Sequence, residues 1–174
     1  MNTELVPARV EDKSIIANLL QVYLYDFSEL AGWAINEHGL FNYPYLDHYW
    51  TESDRHPFLV RADGELAGLA LVRSFASDGE QAHHLAEFFI LRKLRRIGVG
   101  EAAARQLFDR FPGSWTVAQR DWNIAAQHFW RRVIGRYTGG AFTERHDDDK
   151  GRFIQAFTVR GKSPPDEERR ATPW

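Results

Sequence analysis

The feature that most constrains this chain is an apolar run followed at once by a basic, glycine-containing turn. The run is Glu87-Phe88-Phe89-Ile90-Leu91, and the turn is Arg95-Arg96-Ile97-Gly98-Val99-Gly100. A strand that enters such a turn and leaves as a helix builds an anion cradle. The first backbone N–H groups of a helix have no partner within it, and the aligned peptide dipoles favour negative charge there. Glycine lets the backbone approach a ligand closely and adopt angles that other residues resist. The spacing predicts a helix from Val99 to about Phe111, so the chain is expected to bind a phosphorylated small molecule. No Gly-Lys-Ser or Gly-Lys-Thr follows the turn, which sets aside a P-loop. The third glycine of a dinucleotide fingerprint is replaced by Ala103. Taken alone, Gly98-x-Gly100 is compatible with plain architecture, so its meaning rests on context.

The flanking pattern supplies that context. Leu5 to Val10 fits a strand. Asp12 precedes Ile15, Ile16, Leu19, Leu20, Tyr23 and Leu24, whose three-and-four spacing makes one apolar helix face. An irregular aromatic stretch runs from Phe27 to Trp50, with a short helix around Leu46 to Trp50. Strands are expected at Pro57–Arg61 and Glu65–Val72 around an Asp63-Gly64 hairpin turn, then at His83–Leu91 after Ser77-Asp78-Gly79. Beyond the second helix come a strand at Trp115–Gln119 and a helix at Asn123–Ile134 that Gly135 should stop. Two last strands flank Asp147-Asp148-Asp149, expected as a solvated turn. The result is a mixed α/β domain over residues 1–161 with a polar tail, 162–174, docked through Trp174.

Bulk properties narrow the chemistry. The 174 residues suit one domain, and 44% hydrophobic residues with 26% charged suit a globular core. A net charge of −2 argues against nonspecific binding to nucleic acid or to an anionic membrane. With no cysteine, disulfides, thiolate metal sites and a cysteine nucleophile are excluded. The N-terminus has no basic-then-apolar leader, so a cytoplasmic protein is expected. The histidines show no metal spacing, and no metal is expected.

Two segments together resemble the GNAT superfamily of N-acetyltransferases. One is Phe88 through Gly100, which fits the family's strand followed by Arg/Gln-x-x-Gly-x-Gly/Ala. The other is Asn123-Ile124-Ala125-Ala126-Gln127-His128-Phe129-Trp130, which fits its Asn-x-x-Ala-x-x-aromatic-aromatic helix. The resemblance implies an α/β fold with a central, mostly antiparallel sheet splayed around a coenzyme A slot and helices on both faces. It implies acetyl-CoA as cosubstrate, with the pyrophosphate on the backbone of Arg96, Ile97, Gly98, Val99, Gly100 and Glu101. The pantetheine arm would lie along Phe88, Phe89 and Ile90, with an oxyanion donor near Phe89 or Ile90. Asn123, Ala126, Phe129 and Trp130 would line the arm. Arg92, Arg95 and Arg96 would meet the phosphates. So would Arg131 and Arg132, for which a solvated surface charge is the simpler reading.

The same resemblance frames the reaction. A base must take a proton from the amine, and Glu87 is the first candidate with His84 the second. Strict alternation along the strand puts them on opposite faces, unless a bulge intervenes. Water without a dedicated base is the third option. Many family members carry tyrosine seven residues after the asparagine, as an acid for the leaving thiolate. Here that position is Trp130, whose indole is no practical proton source. Water or Tyr137 would have to substitute, and a noncatalytic CoA-binding module becomes the alternative reading. A different phosphate ligand on the same helix terminus is a third. The acceptor, a small-molecule or peptide amine, is expected between the 27–50 stretch and the last two strands, with Tyr25, Asp26 and Glu29 available to a cationic one. Exposed aromatics leave room for a homodimer.

Overall fold

Seven strands form one sheet in the order β1-β2-β3-β4-β5-β7-β6 in the computed structural model, which describes residues 1–77 and 79–161. The tail at 162–174 with Trp174, and Asp78 in the turn after the third strand, lie outside the described residues. The strands are β1 (Thr3–Pro7), β2 (Arg55–Ala62), β3 (Glu65–Ser77), β4 (Glu80–Ile90), β5 (Gly113–Arg120), β6 (Thr143–Asp147) and β7 (Arg152–Val159). The helices are α1 (Lys13–Ala31), α2 (His48–Thr51), α3 (Val99–Arg110) and α4 (Ile124–Thr138). This is the expected mixed α/β order, with boundaries moved. The first strand begins at Thr3 and stops at Pro7, and Gly135 does not end α4. The helix runs on to Thr138, and Gly139 and Gly140 close it at φ of 63° and 88°. Their N–H groups both turn back to the Gly135 carbonyl, a left-handed stop that a glycine inside the helix cannot make. The Asp63-Gly64 turn forms as read, with φ of 49° and 83°.

Each face of the sheet buries its own core. On one, α3 and α4 press Ala103, Leu107, Phe108, Trp130 and Val133 against Val72, Leu85, Trp115, Val117 and Phe157. On the other, α1 and α2 press Ile16, Leu19, Leu20 and Tyr49 against Leu59, Leu69, Leu71 and Phe89. The parity of each strand therefore states which face a side chain meets.

Two irregularities of β4 position the site. Its pairing with β5 is parallel and covers only Ala82↔Ser114 to Leu85↔Val117. Past Leu85 the strands part, leaving a slot between Ala86–Ile90 and residues 118–120. The second irregularity lies against β3, where Leu71 faces Glu87 but Val72 faces Leu85. Ala86 is the extra residue of a bulge, and it resets the parity of the strand.

Candidate active site

The turn after β4 leads into the head of α3 through two left-handed residues. Arg96 and Gly98 take left-handed angles, φ of 64° and 96°. The first backbone N–H of this region to find an acceptor is that of Ala102, bonded to the Gly98 carbonyl at 3.0 Å. Among the described residues, the N–H groups of Arg96, Ile97, Gly98, Val99, Gly100 and Glu101 have no acceptor. Consecutive N–H groups through left-handed residues into a helix head form a concave anion nest. Gly100 serves a different need. A Cβ there would stand 3.2 Å from the Phe129 ring, so the glycine lets α3 approach α4 closely. The Glu101 carboxylate is drawn aside to Arg136 at 3.1 Å and to Arg105 at 3.6 Å.

The basic residues of the cradle differ in what they are free to do. Asp26 on α1, with a side chain only 9% exposed, holds both Arg92 at 2.5 Å and Arg95. The two guanidiniums keep its carboxyl below the usual range despite burial. Asp26 is therefore not open to a cationic acceptor, and the first two arginines are anchored to it. Arg95 also donates to the Ile90 carbonyl at 2.8 Å. Arg96 is exposed and, among the described residues, makes no ion pair. Arg131 is committed to Glu144 through three contacts of 2.8 to 3.1 Å, while Arg132 lies over Phe129, 6.0 Å from the ring centre.

Backbone direction along β4 separates Phe89 from its neighbours. The Leu91 N–H bonds to Ala67 of β3, and the Phe89 carbonyl lies where a Gly68 Cβ would be, 1.9 Å away. Both residues thus turn their polar backbone toward β3, and alternation turns Phe88 and Ile90 toward the slot. Of the two expected oxyanion donors, Ile90 faces the slot and Phe89 does not. The Phe89 side chain packs instead under α1, beside Tyr23 at 5.8 Å between rings.

Glu87 lies on the α1 face, where the Tyr23 hydroxyl donates to Oε2 at 2.6 Å. Burial raises the Glu87 pKa above the usual range, and hydrogen bonds from Tyr23 and Tyr43 oppose that rise. Burial, together with the same carboxylate, pushes both tyrosines up. His84 shares this face, with Nδ1 2.9 Å from Thr116 Oγ1. Strict alternation would have separated the two candidates; the extra residue at Ala86 unites them. Burial, and secondarily the Arg152 charge, lowers the His84 pKa.

On α4, Asn123 caps the helix, its Oδ1 accepting from the Ala126 N–H at 3.1 Å. Trp130 is a wall rather than an acid, with Phe88, Phe129 and Phe108 around it at 5.0, 4.8 and 6.4 Å. Tyr137 points elsewhere. Its hydroxyl donates to Asp109 at 2.7 Å, at the C-terminal end of α3, so it is not placed to serve a group in the slot.

With this geometry in place, the comparisons with known proteins decide the family. The profile of the Acetyltransferase (GNAT) family matches residues 19–135. The chain belongs to this family. A comparison with curated protein sequences gives no match. Among solved structures, an acetyltransferase from Thermus thermophilus superposes with a TM-score of 0.65 at 14% identity, over 91% of this chain and 98% of its own. The PaiA N-acetyltransferase of Thermoplasma acidophilum, in complex with coenzyme A, gives 0.60 at 13% identity, over 91% and 100%. The aminoglycoside acetyltransferase AAC(6')-Ib, also with coenzyme A, gives 0.62 at 13%, over 90% and 95%. At such identities the likeness is one of fold.

Several residues of this GNAT acetyltransferase escaped the sequence reading. Tyr23 looked like part of an apolar helix stripe and Tyr43 like one of many aromatics; the packing of α1 on β4 turns the Tyr23 hydroxyl to Glu87, and the connection between α1 and α2 brings Tyr43 beside it. Trp122, two residues past β5, packs against Phe27 at 5.6 Å and Trp33 at 6.4 Å. Gln119, 4% exposed, lies on β5 just past the end of its ladder with β4, and both its amide atoms are buried without a partner. Asp147 and Asp148 pair with Arg152 and His146, so the turn is braced as well as solvated. Among the described residues no group of three or more His, Asp or Glu is placed to hold a metal, and no helix is long and apolar enough to cross a membrane.

Proposed function

We propose that this acetyltransferase moves the acetyl group of acetyl-CoA to a primary amine by direct attack in a ternary complex. The observation that carries the reading is the parted β4–β5 pair, which joins the six-donor cradle at one end to Glu87 beside the gap. The slot-facing backbone of Phe88 and the N–H of Ile90, whose carbonyl is held by Arg95, suit a pantetheine arm added as a further strand. The nest from Arg96 to Glu101, with the Arg96 guanidinium, suits a pyrophosphate. The bound thioester supplies an activated acyl carbon. Glu87 takes the proton of the attacking amine, directly or through one water, as the new C–N bond forms and the C–S bond breaks. The Ile90 N–H meets the carbonyl oxygen as charge builds there. The leaving thiolate takes its proton from water, because Trp130 stands where a hydroxyl would be needed and Tyr137 is turned to Asp109.

Release of free thiol from acetyl-CoA across a panel of primary amines tests this reading. Amine-dependent release is expected, with Glu87→Gln lowering kcat by about 10²- to 10⁴-fold, the usual contribution of a general base. Absence of release with every amine, together with absence of coenzyme A binding, overturns it.

A further inference from the structure

On the α1 face, one step along β4 from Glu87, the sheet carries an open recess lined by strand residues. They are Arg73, Phe75, His84, Thr116 and Arg152, and the volume is about 290 Å³. Parity places all five on this face. Arg73 and Phe75 follow Leu69 and Leu71, which pack under α1, while Thr116 and Arg152 alternate with Trp115, Val117 and Phe157 of the opposite core.

Each of the two arginines of the recess pairs with one carboxylate, and each pair leaves guanidinium donors over. Among the described residues, the nearest carboxylate oxygen to Arg73 is that of Asp54, 4.0 Å away and outside hydrogen-bond range. Arg152 binds Asp147 through Nε alone at 3.0 Å, which leaves its two terminal amino groups to the recess. Both charges reach His84, where each opposes protonation. Phe75, 45% exposed, gives the recess one apolar wall.

We propose that this recess is an acid-binding subsite of the acceptor. On this reading, which rests on the proposed acetyl transfer, the acceptor carries a carboxylate or a phosphate besides its amine. The anion meets Arg73 and Arg152, the carbon chain crosses Phe75, and the amine reaches Glu87. His84, which lines the recess, and Glu87 are three residues apart along β4, so the strand between recess and base spans at most about 10 Å at the rise of an extended strand. An ω-amino acid with several methylenes spans it, whereas glycine is too short. Two guanidiniums facing the recess disfavour a polycation.

The test compares 6-aminohexanoate, its methyl ester, hexylamine, 6-aminohexyl phosphate and glycine as acceptors, together with binding of the product N-acetyl-6-aminohexanoate by calorimetry. We expect at least a tenfold preference in kcat/KM for the acids over hexylamine and the ester, and little use of glycine. The stronger of the two acids identifies the anion. Arg73→Gln and Arg152→Gln, each checked for a native circular dichroism spectrum, bring the preference toward unity and weaken product binding at least tenfold. Equal use of acid and neutral amines, or a preference that survives both substitutions, overturns the inference while acetyl transfer stands. If no amine turns over and coenzyme A does not bind, product binding that depends on Arg73 and Arg152 upholds the subsite and overturns the transfer reading alone; absence of product binding overturns the subsite.

Discussion

Burial and hydrogen bonding pull the Glu87 carboxyl in opposite directions. Burial is the larger influence and raises its pKa; Tyr23 and Tyr43 hold part of the rise back. The acid limb of kcat/KM is therefore expected to inflect above 4.5, the ordinary glutamate value. Tyr23→Phe, which removes the 2.6 Å donor, should move that inflection to higher pH. The same shift bears on stability. A carboxyl with its folded pKa raised contributes stability that is full below the unfolded value and lost as pH rises through the folded one. Glu87→Gln should therefore melt above the wild type at pH 8, even as it loses activity. Backbone crowding sets a second expectation. An alanine Cβ at Gly68 would lie 1.9 Å from the Phe89 carbonyl oxygen, and backbone cannot step aside as a ring can. Gly68→Ala should cost roughly 2–3 kcal/mol, the upper range for overpacking, in denaturant titrations. At Gln119 the expectation is opposite. Leucine there removes two buried, unpartnered polar atoms, and a gain of about 1–3 kcal/mol is expected from the same titrations.

Elements are braced to one another by charge. Asp26 ties α1 to the turn after β4, and His146 ties β6 to the end of β5 through Asp121 at 2.8 Å and to Asp148 at 2.5 Å. The two carboxylates raise the His146 pKa above 6.5. For a histidine so shifted, the stabilisation is full below the unfolded pKa and disappears as pH rises through the folded one. Amide exchange in the turn at 147–151 should accelerate over that range, and an NMR titration of the His146 ring should place its midpoint above 6.5. These braces were illegible in the chain, because Asp26 lies 66 and 69 residues from its partners and nothing local announces the pairing. The elements themselves were legible. Three-and-four spacing marked α1, and Asp63-Gly64 marked the β2–β3 hairpin. The end of α4 was misplaced because Gly135 and Gly139 look alike in sequence, and only the left-handed angle distinguishes a stop from an ordinary helical residue.

At the scale of the whole molecule, the donor side was the more readable half. A glycine turn behind a strand is a local pattern, and the cradle it announces is made of backbone. The proposed acceptor side draws on α1, β3, β4, β5 and β7, so its residues have no shared neighbourhood in the chain. Binding of coenzyme A to the native fold alone should raise Tm. At a hundredfold excess over Kd the linkage is about 2.7 kcal/mol, or roughly 5–10 °C for a chain of this length, measurable by calorimetry. The bulge at Ala86 has a consequence at this scale. Below it, His84 belongs to the α1 face; above it, the side chains of Phe88 and Ile90 belong to the opposite face while Glu87 stays with His84. One inserted residue thus works as a phase shift in a two-step ruler. His84 and Glu87, three residues apart, share a face because Ala86 stands unpaired between them, and deleting Ala86 would leave a regularly alternating ladder with both still on that face.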